Sequence, residues 1–447
     1  MKNIFEPESV AVIGASNIKR KWSNKIIANI ITGGYTGAVY PINPKETTVQ
    51  GLKSYSSVLD VPGEIDLAII VIPAVHVIAA VDECGRKGVK GLIVISAGFA
   101  EAENKVLEEE LQNKVDHYDM MMIGPNCLGI ANNSINLNAS ILQEMPKKGN
   151  ISFIAQSGTM ALTIVEWAKE KGIGLCKVIS TGNKTDLDDV DYLEYLNSDP
   201  DTKVIAIYAE SIKRGRRFIE VAKRIKKPII ILKVGRSKKG AAACFSHTAS
   251  LAGDDKIFSA AFHQAGIIRV DTLEELFDAA HVFSCQPLPK GNRVGVCSNG
   301  GGSGIIAMDE CEKYGIDVPN LTAEMVDKIK AVMPGFASAN NPVDSAARSD
   351  NNIYKTILDT FNCDSFDAII SIFIQDSTAD PMPSATDIIS VITDKPIIAC
   401  AMAGEQKKKW IQVLEDAGIP VYPSPDRAVK ALNYLIQHKK FLDEVKI

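Results

Sequence analysis

Short apolar runs alternate with helical patterns along almost the whole chain, and this alternation is the feature that most constrains the fold. Between the runs lie amphipathic segments such as residues 75–87 and 104–115. Apolar strands separated by helices are typical of parallel sheets with helices on both faces, so the sequence predicts an α/β fold. The predicted strands are residues 9–13, 38–42, 67–72, 91–96, 120–123, 151–155, 176–180, 204–208, 228–233, 293–298, 368–374 and 396–400.

The alternation restarts twice, each time after a polar break that contains Pro and Gly. The breaks are residues 146–150 and 286–291. A length of 447 residues also suits about three domains of roughly 150 residues each. We therefore predict three successive parallel-sheet domains, at residues 1–146, 147–288 and 289–447.

Composition and charge exclude several classes of protein. With 46% hydrophobic and 23% charged residues, the chain has the composition of an ordinary globular protein. A formal net charge of −5 argues against a bulk nucleic-acid binder or a basic membrane-surface protein.

The N-terminus and the cysteines indicate the compartment. Glu6 and Glu8 stand where a signal peptide would need an apolar stretch, and the longest apolar run, residues 67–81, contains Pro73 and His76. Nine scattered cysteines without a CxxC pair are typical of reduced thiols. We expect a soluble, cytoplasmic protein without a nucleic-acid or membrane partner.

The turn after the first predicted strand, Gly14-Ala15-Ser16, is a candidate phosphate site. Small residues let the backbone approach a phosphate, and the following helix N-terminus favours negative charge. The dinucleotide fingerprint GxGxxG is incomplete, and the second strand leads to Lys45 instead of an acidic residue that would hold a ribose. Lys45 suits a ligand with an extra phosphate, such as coenzyme A. A simple tight turn is the alternative.

Two further turns are candidates for the chemistry of acyl or phosphoryl groups. Ser157-Gly158-Thr159 places two hydroxyls at a predicted helix N-terminus, where they form either an anion cradle or an ordinary N-cap. Cys127 follows a Gly-Pro-Asn turn, but no activating base is near it in sequence, so we predict a buried or turn-packing cysteine instead of a nucleophile.

His247 is the strongest candidate for a catalytic group. It lies among the small and hydroxylated residues 246–253, after a basic stretch, and neutral imidazole is a competent nucleophile at physiological pH. Glu210 closes a predicted strand, where its carboxylate could orient an imidazole; a surface ion pair with Lys213 or Arg214 is the alternative. No other His or Cys lies at ligand spacing, so we expect no metal site.

The third predicted domain gives weaker signals. Residues 298–304 form a Gly-rich loop that is either an anion cradle or a flexible joint, and residues 341–344 have no assigned role. The last segment, from about residue 428 to residue 445, is predicted to be a lysine-bearing helix with a solvated face.

Taken together, these residues resemble the α subunit of an ADP-forming acetate/acyl-CoA synthetase, a relative of succinyl-CoA synthetase. The resemblance covers essentially the whole chain and implies a CoA-binding Rossmann-like domain followed by two flavodoxin-like ligase domains. It rests on VIGAS (12–16), INPK (42–45), VIPA (71–74), GPNCLG (124–129), QSGT (156–159), AES (209–211), SHTASLAG (246–253), SNGGGSG (298–304) and NPVD (341–344).

The resemblance also implies roles for individual residues. His247 would be phosphorylated transiently and Glu210 would orient it. The phosphate-binding residues would be Ser157, Gly158, Thr159, Ala249 and Ser250. The CoA-binding residues would be Gly14, Ala15, Ser16, Lys45, Pro73, Ser96, Ala97, Gly98 and Asn126, with Asn126 near the acyl end. Polar differences over residues 181–189 make succinate the less favoured acid.

The mechanism that the resemblance implies has three steps. Phosphate attacks the acyl-CoA thioester, His247 takes the phosphoryl group from the acyl phosphate, and the phosphohistidine passes it to ADP. The chain has no Walker loop and no ATP-grasp unit. ADP, ATP and Mg²⁺ are therefore expected on a separate ATP-grasp β subunit in a hetero-oligomer. The alternatives are a non-catalytic CoA-binding regulatory protein and, less favoured, a nicotinamide-dependent oxidoreductase.

Overall fold

A computed structural model of the protein describes residues 1–248, 254–346, 353–374, 382–402, 404 and 407–445. The chain forms two compact units, Met1–Leu276 and Phe277–Ile447, and the first unit contains two large sheets. The predicted α/β class with successive parallel sheets is confirmed. The boundaries of the three predicted domains remain a prediction.

The first sheet is parallel and has five strands in the order β2-β1-β5-β6-β7. Strand β1 lies between β2 and β5, has the sequence SVAVI and is buried along its whole length, as expected for β-branched residues between two helical layers. The five strands are β1 (Ser9–Ile13), β2 (Ala38–Ile42), β5 (Leu67–Ile70), β6 (Gly91–Val94) and β7 (Met121–Ile123). Strands β3 (Thr48–Val49) and β4 (Leu52–Lys53) form a separate antiparallel pair. The helices are α1 (Lys2–Phe5), α2 (Trp22–Gly33), α3 (Val77–Lys87) and α4 (Lys105–His117).

The second sheet has seven strands in the order β14-β13-β12-β10-β11-β8-β9. Strands β8 and β9 form an antiparallel hairpin at one edge, and the remaining pairs are parallel except for β11 with β8. The strands are β8 (Gly129–Asn132), β9 (Leu137–Ser140), β10 (Lys148–Ala155), β11 (Leu175–Ser180), β12 (Val204–Ala209), β13 (Ile229–Lys233) and β14 (Ile268–Arg269). The helices are α5 (Gly158–Glu170), α6 (Asp189–Ser198), α7 (Gly215–Ala222), α8 (Lys238–Thr248), α9 (Asp255–Gln264) and α10 (Leu273–Cys285).

The second unit is built on a five-stranded parallel sheet in the order β16-β15-β17-β18-β19. Its core includes the fully buried Trp410, whose ring stacks on Phe373. The strands are β15 (Val294–Ser298), β16 (Val343–Asp344), β17 (Ala368–Phe373), β18 (Ile397–Ala401) and β19 (Val421–Tyr422). The helices are α11 (Gly301–Tyr314), α12 (Ala323–Lys330), α13 (Ile353–Phe361), α14 (Met382–Ser390), α15 (Lys407–Asp416) and α16 (Pro425–Val445).

Candidate functional site

The turn at the carboxyl end of β1 has the close-packed backbone that a phosphate site requires. Gly14 has φ +89°, and a Cβ there would lie 2.5 Å from the carbonyl oxygen of Val71, so only glycine fits. Ala15 and Ser16 are buried behind it, whereas Lys45 is exposed after β2. The Asn43 side chain joins the two turns by donating from Nδ2 to the Ala15 carbonyl oxygen at 2.6 Å. Lys45 is thereby held beside the first turn.

The turns after β5 and β6 lie at the same edge of the sheet. Ser96 Oγ donates to the Ile72 carbonyl oxygen at 2.6 Å, which ties its turn to the segment that leads into Pro73. Gly98 has φ +114°, and a Cβ there would lie 3.1 Å from the Ala74 side chain. Because β1, β5 and β6 are neighbours, the carboxyl ends of these strands form one crevice. The predicted CoA-binding residues Gly14, Ala15, Ser16, Lys45, Pro73, Ser96, Ala97 and Gly98 all belong to the turns at this edge.

Asn126 extends this edge toward the second sheet. Its backbone N–H donates to the Ser96 carbonyl oxygen at 2.9 Å, and the residue has φ +59°, a left-handed conformation that Asn tolerates. The neighbouring Cys127 is 3% exposed, and burial raises the pKa of its thiol to about 12. The prediction that Cys127 is buried is therefore confirmed.

A polar network that the sequence did not predict holds Asn126 from behind. Asn183 Oδ1 accepts a hydrogen bond from Asn126 Nδ2 at 3.3 Å, and Asn183 Nδ2 donates to Glu101 Oε2 at 2.6 Å and Glu108 Oε2 at 2.8 Å. Glu101 Oε1 in turn accepts from the Gly98 backbone N–H at 2.6 Å. The network therefore connects the Gly98 turn with Asn126 through charged hydrogen bonds, which are stronger than neutral ones.

The phosphate candidates lie at the N-terminus of α5, directly after β10. Ser157 is the N-cap residue, but its side chain does not cap the helix; its Oγ lies 3.1 Å from Thr159 Oγ1. Gly158 packs on Leu128, because a Cβ on Gly158 would lie 2.8 Å from Leu128 Cγ. The first turn of α5 therefore offers backbone N–H groups and two hydroxyls, a suitable arrangement for an oxyanion.

One cavity joins the two sets of candidates. It has a volume of about 200 Å³ and is lined by both Asn126 and the α5 N-terminus, Ser157, Gly158 and Thr159. Asn183 and Gln156 also line it, and Trp22, Ile95 and Leu128 supply apolar surface. The structure therefore brings the expected acyl end of the CoA site and the phosphate loop to the same space.

Gln156 fixes the strand end that carries Glu210. Its Oε1 accepts the backbone N–H groups of Glu210 and Ser211, both at 2.9 Å, and its Nε2 donates to Ser211 Oγ at 3.1 Å. Glu210 is itself buried, with 6% of its surface exposed. A buried carboxylate at this position is held by the fold and does not lie on the open surface.

Lys213 and Arg214, the two cations that follow Glu210 in the sequence, form contacts with other residues. The Arg214 guanidinium forms ion pairs with Asp188 and Asp191, and Lys213 Nζ donates to the Lys184 carbonyl oxygen at 2.5 Å. Partial burial, followed by the negative charge of Glu210, raises the pKa of the Cys244 thiol. The charge of Glu210 therefore acts on Cys244, which precedes His247 by three residues on α8.

His247 lies near the C-terminal end of α8, and its side chain is outside the described part of the structure. Ala249 and Ser250 lie outside the described residues. Helix α8 packs against the one-turn helix Ala100–Ala102, which contains Glu101. The helix that carries His247 is thus adjacent both to Glu210 and to the network behind the Gly98 turn.

The Gly-rich loop of the second unit opens helix α11. Ser298 Oγ and Ser303 Oγ lie 2.7 Å apart and close the loop from inside, and Ser303 Oγ donates to the Gly300 carbonyl oxygen at 2.8 Å. Asp344 is close to this turn, because a Cβ on Gly301 would lie 3.0 Å from Asp344 Oδ2.

Two kinds of feature are absent from the described residues. No three His, Cys, Asp or Glu side chains among the described residues are grouped to hold a metal ion. No helix within those residues combines the length and the apolar composition that crossing a bilayer requires.

Family models match the two sheets of the first unit. Residues 8–133 match a CoA binding domain, and residues 148–283 match a succinyl-CoA ligase-like flavodoxin domain. The expected CoA-binding domain and flavodoxin-like ligase domain are thereby confirmed.

Relatives resemble the chain over nearly its whole length. ADP-forming acetate–CoA ligase II subunit alpha of Pyrococcus furiosus is 42% identical over 98% of this chain and 97% of the relative. The ADP-forming acetate–CoA ligase I of Archaeoglobus fulgidus is 39% identical over 98% of this chain, which spans only 64% of that relative. The solved structure of the dinucleotide forming acetyl-coenzyme A synthetase 1 of Ca. Korarchaeum cryptofilum, in complex with phosphate and ADP, has 36% identity and a TM-score of 0.95 over 100% of this chain and 98% of that one. The chain therefore belongs to the family of ADP-forming acetate–CoA ligase α subunits.

Proposed function

We propose that this chain is the α subunit of an ADP-forming acyl-CoA synthetase that interconverts acyl-CoA, ADP and phosphate with a carboxylic acid, CoA and ATP. One observation carries the proposal: a single cavity is lined by Asn126, at the expected acyl end of the CoA site, and by the uncapped N-terminus of α5. A thioester carbonyl and an attacking phosphate could meet there. Relatives named as acetate–CoA ligases support the same reaction class.

The reaction balances in three steps. A phosphate oxygen attacks the thioester carbonyl, the C–S bond breaks, and CoA leaves as a thiol with acyl phosphate as the product. A His247 ring nitrogen then takes the phosphoryl group and the carboxylate leaves. The phosphohistidine finally transfers the group to ADP, which becomes ATP. Covalent catalysis separates thioester chemistry from nucleotide chemistry.

Each proposed residue has a physical role in these steps. Glu210 would accept the ring N–H of His247 and fix its tautomer, which is consistent with a buried carboxylate close to α8. Ser157, Gly158, Thr159, Ala249 and Ser250 would hold the phosphate. The crevice of Gly14, Ala15, Ser16, Pro73, Ser96, Ala97 and Gly98 would bind CoA, with Lys45 near its phosphates and Asn126 near the thioester.

The nucleotide step needs a partner. We place ADP, ATP and Mg²⁺ on a separate ATP-grasp β subunit, because the sequence has no Walker loop and two relatives of matching length are named as α subunits. The nicotinamide alternative has less support, since β2 leads to Lys45 instead of an acidic ribose ligand and Asn43 bonds to the Ala15 carbonyl oxygen.

Phosphate labelling tests the proposal. The full chain, incubated with acetyl-CoA and radioactive phosphate, should acquire acid-labile, base-stable label on His247, and His247→Ala should abolish it. His263→Ala is a matched control, because His263 is exposed on α9 and should not change the labelling. Label that survives in His247→Ala would refute the site. Wild-type chain that stays unlabelled even with its partner subunit would favour the CoA-binding regulatory protein.

A further inference from the structure

We propose that Trp22 determines which acids the synthetase accepts, by forming with Ile95 and Leu128 an uncharged wall that contacts the acyl chain. The inference rests on the proposed function and adds a specificity residue to it. All three side chains line the cavity that also contains Asn126 and the α5 N-terminus. An acyl group whose carbonyl carbon faces the α5 amides would extend along this apolar wall.

Hydrogen bonds hold the two sides of the wall in place. Trp22 is the first residue of α2, and Asn29 on the same helix donates from Nδ2 to the carbonyl oxygens of Ser140 at 2.9 Å and Leu142 at 2.7 Å. The Leu128 carbonyl oxygen accepts the Ile141 N–H of the same segment at 3.1 Å. Helix α2 and Leu128 are therefore both tied to residues 140–142, and the distance between Trp22 and Leu128 is set by the fold.

The exposure of the three residues differs along the wall. Ile95 is 1% exposed and lies deep in the fold, whereas Trp22 is 55% exposed. An exposed indole at a cavity rim has free surface to bury against the methylene groups of a ligand, and burial of that apolar surface favours binding. Trp22 is thus the residue that a longer acyl chain meets as it leaves the cavity.

The described lining of the cavity carries no charged side chain. Its polar members are the amides and hydroxyls of Asn126, Asn183, Gln156, Ser157 and Thr159, and no Lys, Arg, His, Asp or Glu belongs to the described lining. A second carboxylate placed there would lose its hydration without a cation to compensate, which is strongly unfavourable. The cavity therefore selects monocarboxylic acids over dicarboxylic ones.

The small volume of the cavity also restricts the size of the acyl group. Its volume of about 200 Å³ is below the range of roughly 300–1,000 Å³ that holds drug-sized ligands. A cavity of this size suits a short acyl group better than a long one. Removing the indole of Trp22 would open the rim to longer chains.

A series of CoA esters tests this wall in the full chain. The rate of phosphohistidine formation is measured with acetyl-, butanoyl-, hexanoyl- and succinyl-CoA for wild type, Trp22→Ala, Trp22→Phe and Ile31→Ala. Ile31 is a matched control, since it is an exposed apolar residue on the same helix and does not line the cavity. Trp22→Ala should raise the hexanoyl-to-acetyl rate ratio about tenfold, and Trp22→Phe should give a smaller increase.

A second readout does not depend on turnover. Acetyl-CoA and butanoyl-CoA should change the tryptophan fluorescence of wild type, and this change should disappear in Trp22→Phe, which retains Trp167 and Trp410. An unaltered rate ratio in Trp22→Ala, a fluorescence change that persists in Trp22→Phe, or succinyl-CoA as effective as acetyl-CoA would overturn the inference. In each of these cases labelling from acetyl-CoA would still support the proposed function, whereas failure of every ester would reject both.

Discussion

Asn183 and Glu101 show how single residues connect the parts of the candidate site. Glu101 accepts three hydrogen bonds, from Asn183 Nδ2 and from the backbone N–H groups of Gly98 and Phe99. Burial alone would raise the pKa of this carboxyl, but these hydrogen bonds outweigh burial, so the net pKa is lowered. A carboxylate that stays ionised keeps its acceptors available, and the Gly98 turn is held in place.

Glu101→Gln should therefore weaken CoA binding. The neutral amide offers one oxygen for three donors, so the Gly98 turn is held less firmly before CoA binds and the affinity for CoA should fall by about tenfold. Calorimetric titration of the full chain with CoA measures it, and Glu103→Gln is the control because Glu103 is exposed in the same segment. An unchanged affinity in Glu101→Gln would contradict the role of the network.

The lowered pKa of Glu101 also determines how CoA binding should depend on pH. A group whose folded pKa is below its unfolded value, about 4.3 for Glu, contributes stability above that value and loses it as pH falls through the folded pKa. CoA binding by the wild type should thus not weaken through Glu101 protonation between pH 7 and about pH 5, because the carboxyl stays ionised there. The loss of CoA affinity in Glu101→Gln should be the same at pH 7 and at about pH 5.

The sequence supplied some site residues and not others, for a physical reason. The proposed His247, Glu210 and Ser157 stand in local motifs, where turn chemistry and neighbouring small residues are readable along the chain. Asn183 and Trp22 act through partners that are distant in sequence, and such contacts are visible only in three dimensions. The polar stretch of residues 181–189, which contains Asn183, indicated only that succinate is the less favoured acid.

At the scale of elements, apolar strands were predicted well and polar ones were not. Strands β1 and β2 have the predicted limits, and the β5, β6 and β7 predictions differ only at their ends. The β8–β9 hairpin was missed, because its buried asparagines break the apolar pattern. Asn132 Nδ2 donates to the Phe5 carbonyl oxygen at 2.7 Å, a partner that the local sequence does not reveal.

Helix α16 was predicted from its lysines to have a solvated face, and the structure shows that its opposite face is buried. The helix carries a buried stripe that includes Ala428, Leu432 and Leu435, and it packs against α11 and strands β17 to β19. Lysines such as Lys440 are exposed, as the sequence predicted. The helix is therefore a core element of the second unit with one solvated face.

Leu432→Ala should destabilise the second unit. Leu432 is fully buried, and truncation of a buried leucine costs about 2–5 kcal/mol through lost burial and the cavity left behind. Hydrogen exchange of the β17 and β18 amides should accelerate accordingly, since their protection reports the opening of this unit. Lys440→Ala should leave the exchange unchanged. Equal exchange in both variants would show that α16 is not part of the core.

The whole molecule consists of two units with separate sheets. The lengths of its relatives indicate how the proposed reaction is divided between polypeptides. The chain matches relatives named as α subunits over 97–98% of their length, but it spans only 64% of the ADP-forming acetate–CoA ligase I of Archaeoglobus fulgidus. We propose that the remaining third of that longer relative corresponds to the partner of this chain. The mild net charge of −5 does not reveal this division, because it averages over the whole surface.

Transfer of the phosphoryl group to ADP tests whether the nucleotide site lies on a separate subunit. The chain phosphorylated on His247 should keep its label when Mg²⁺ and ADP are added alone, because the proposed nucleotide site is on the β subunit. Addition of that subunit should release the label as ATP, since the phosphohistidine then meets a bound acceptor. A β subunit with its nucleotide site inactivated is the control and should release none. ATP formed by the α chain alone would place the nucleotide site on this chain and contradict the proposal.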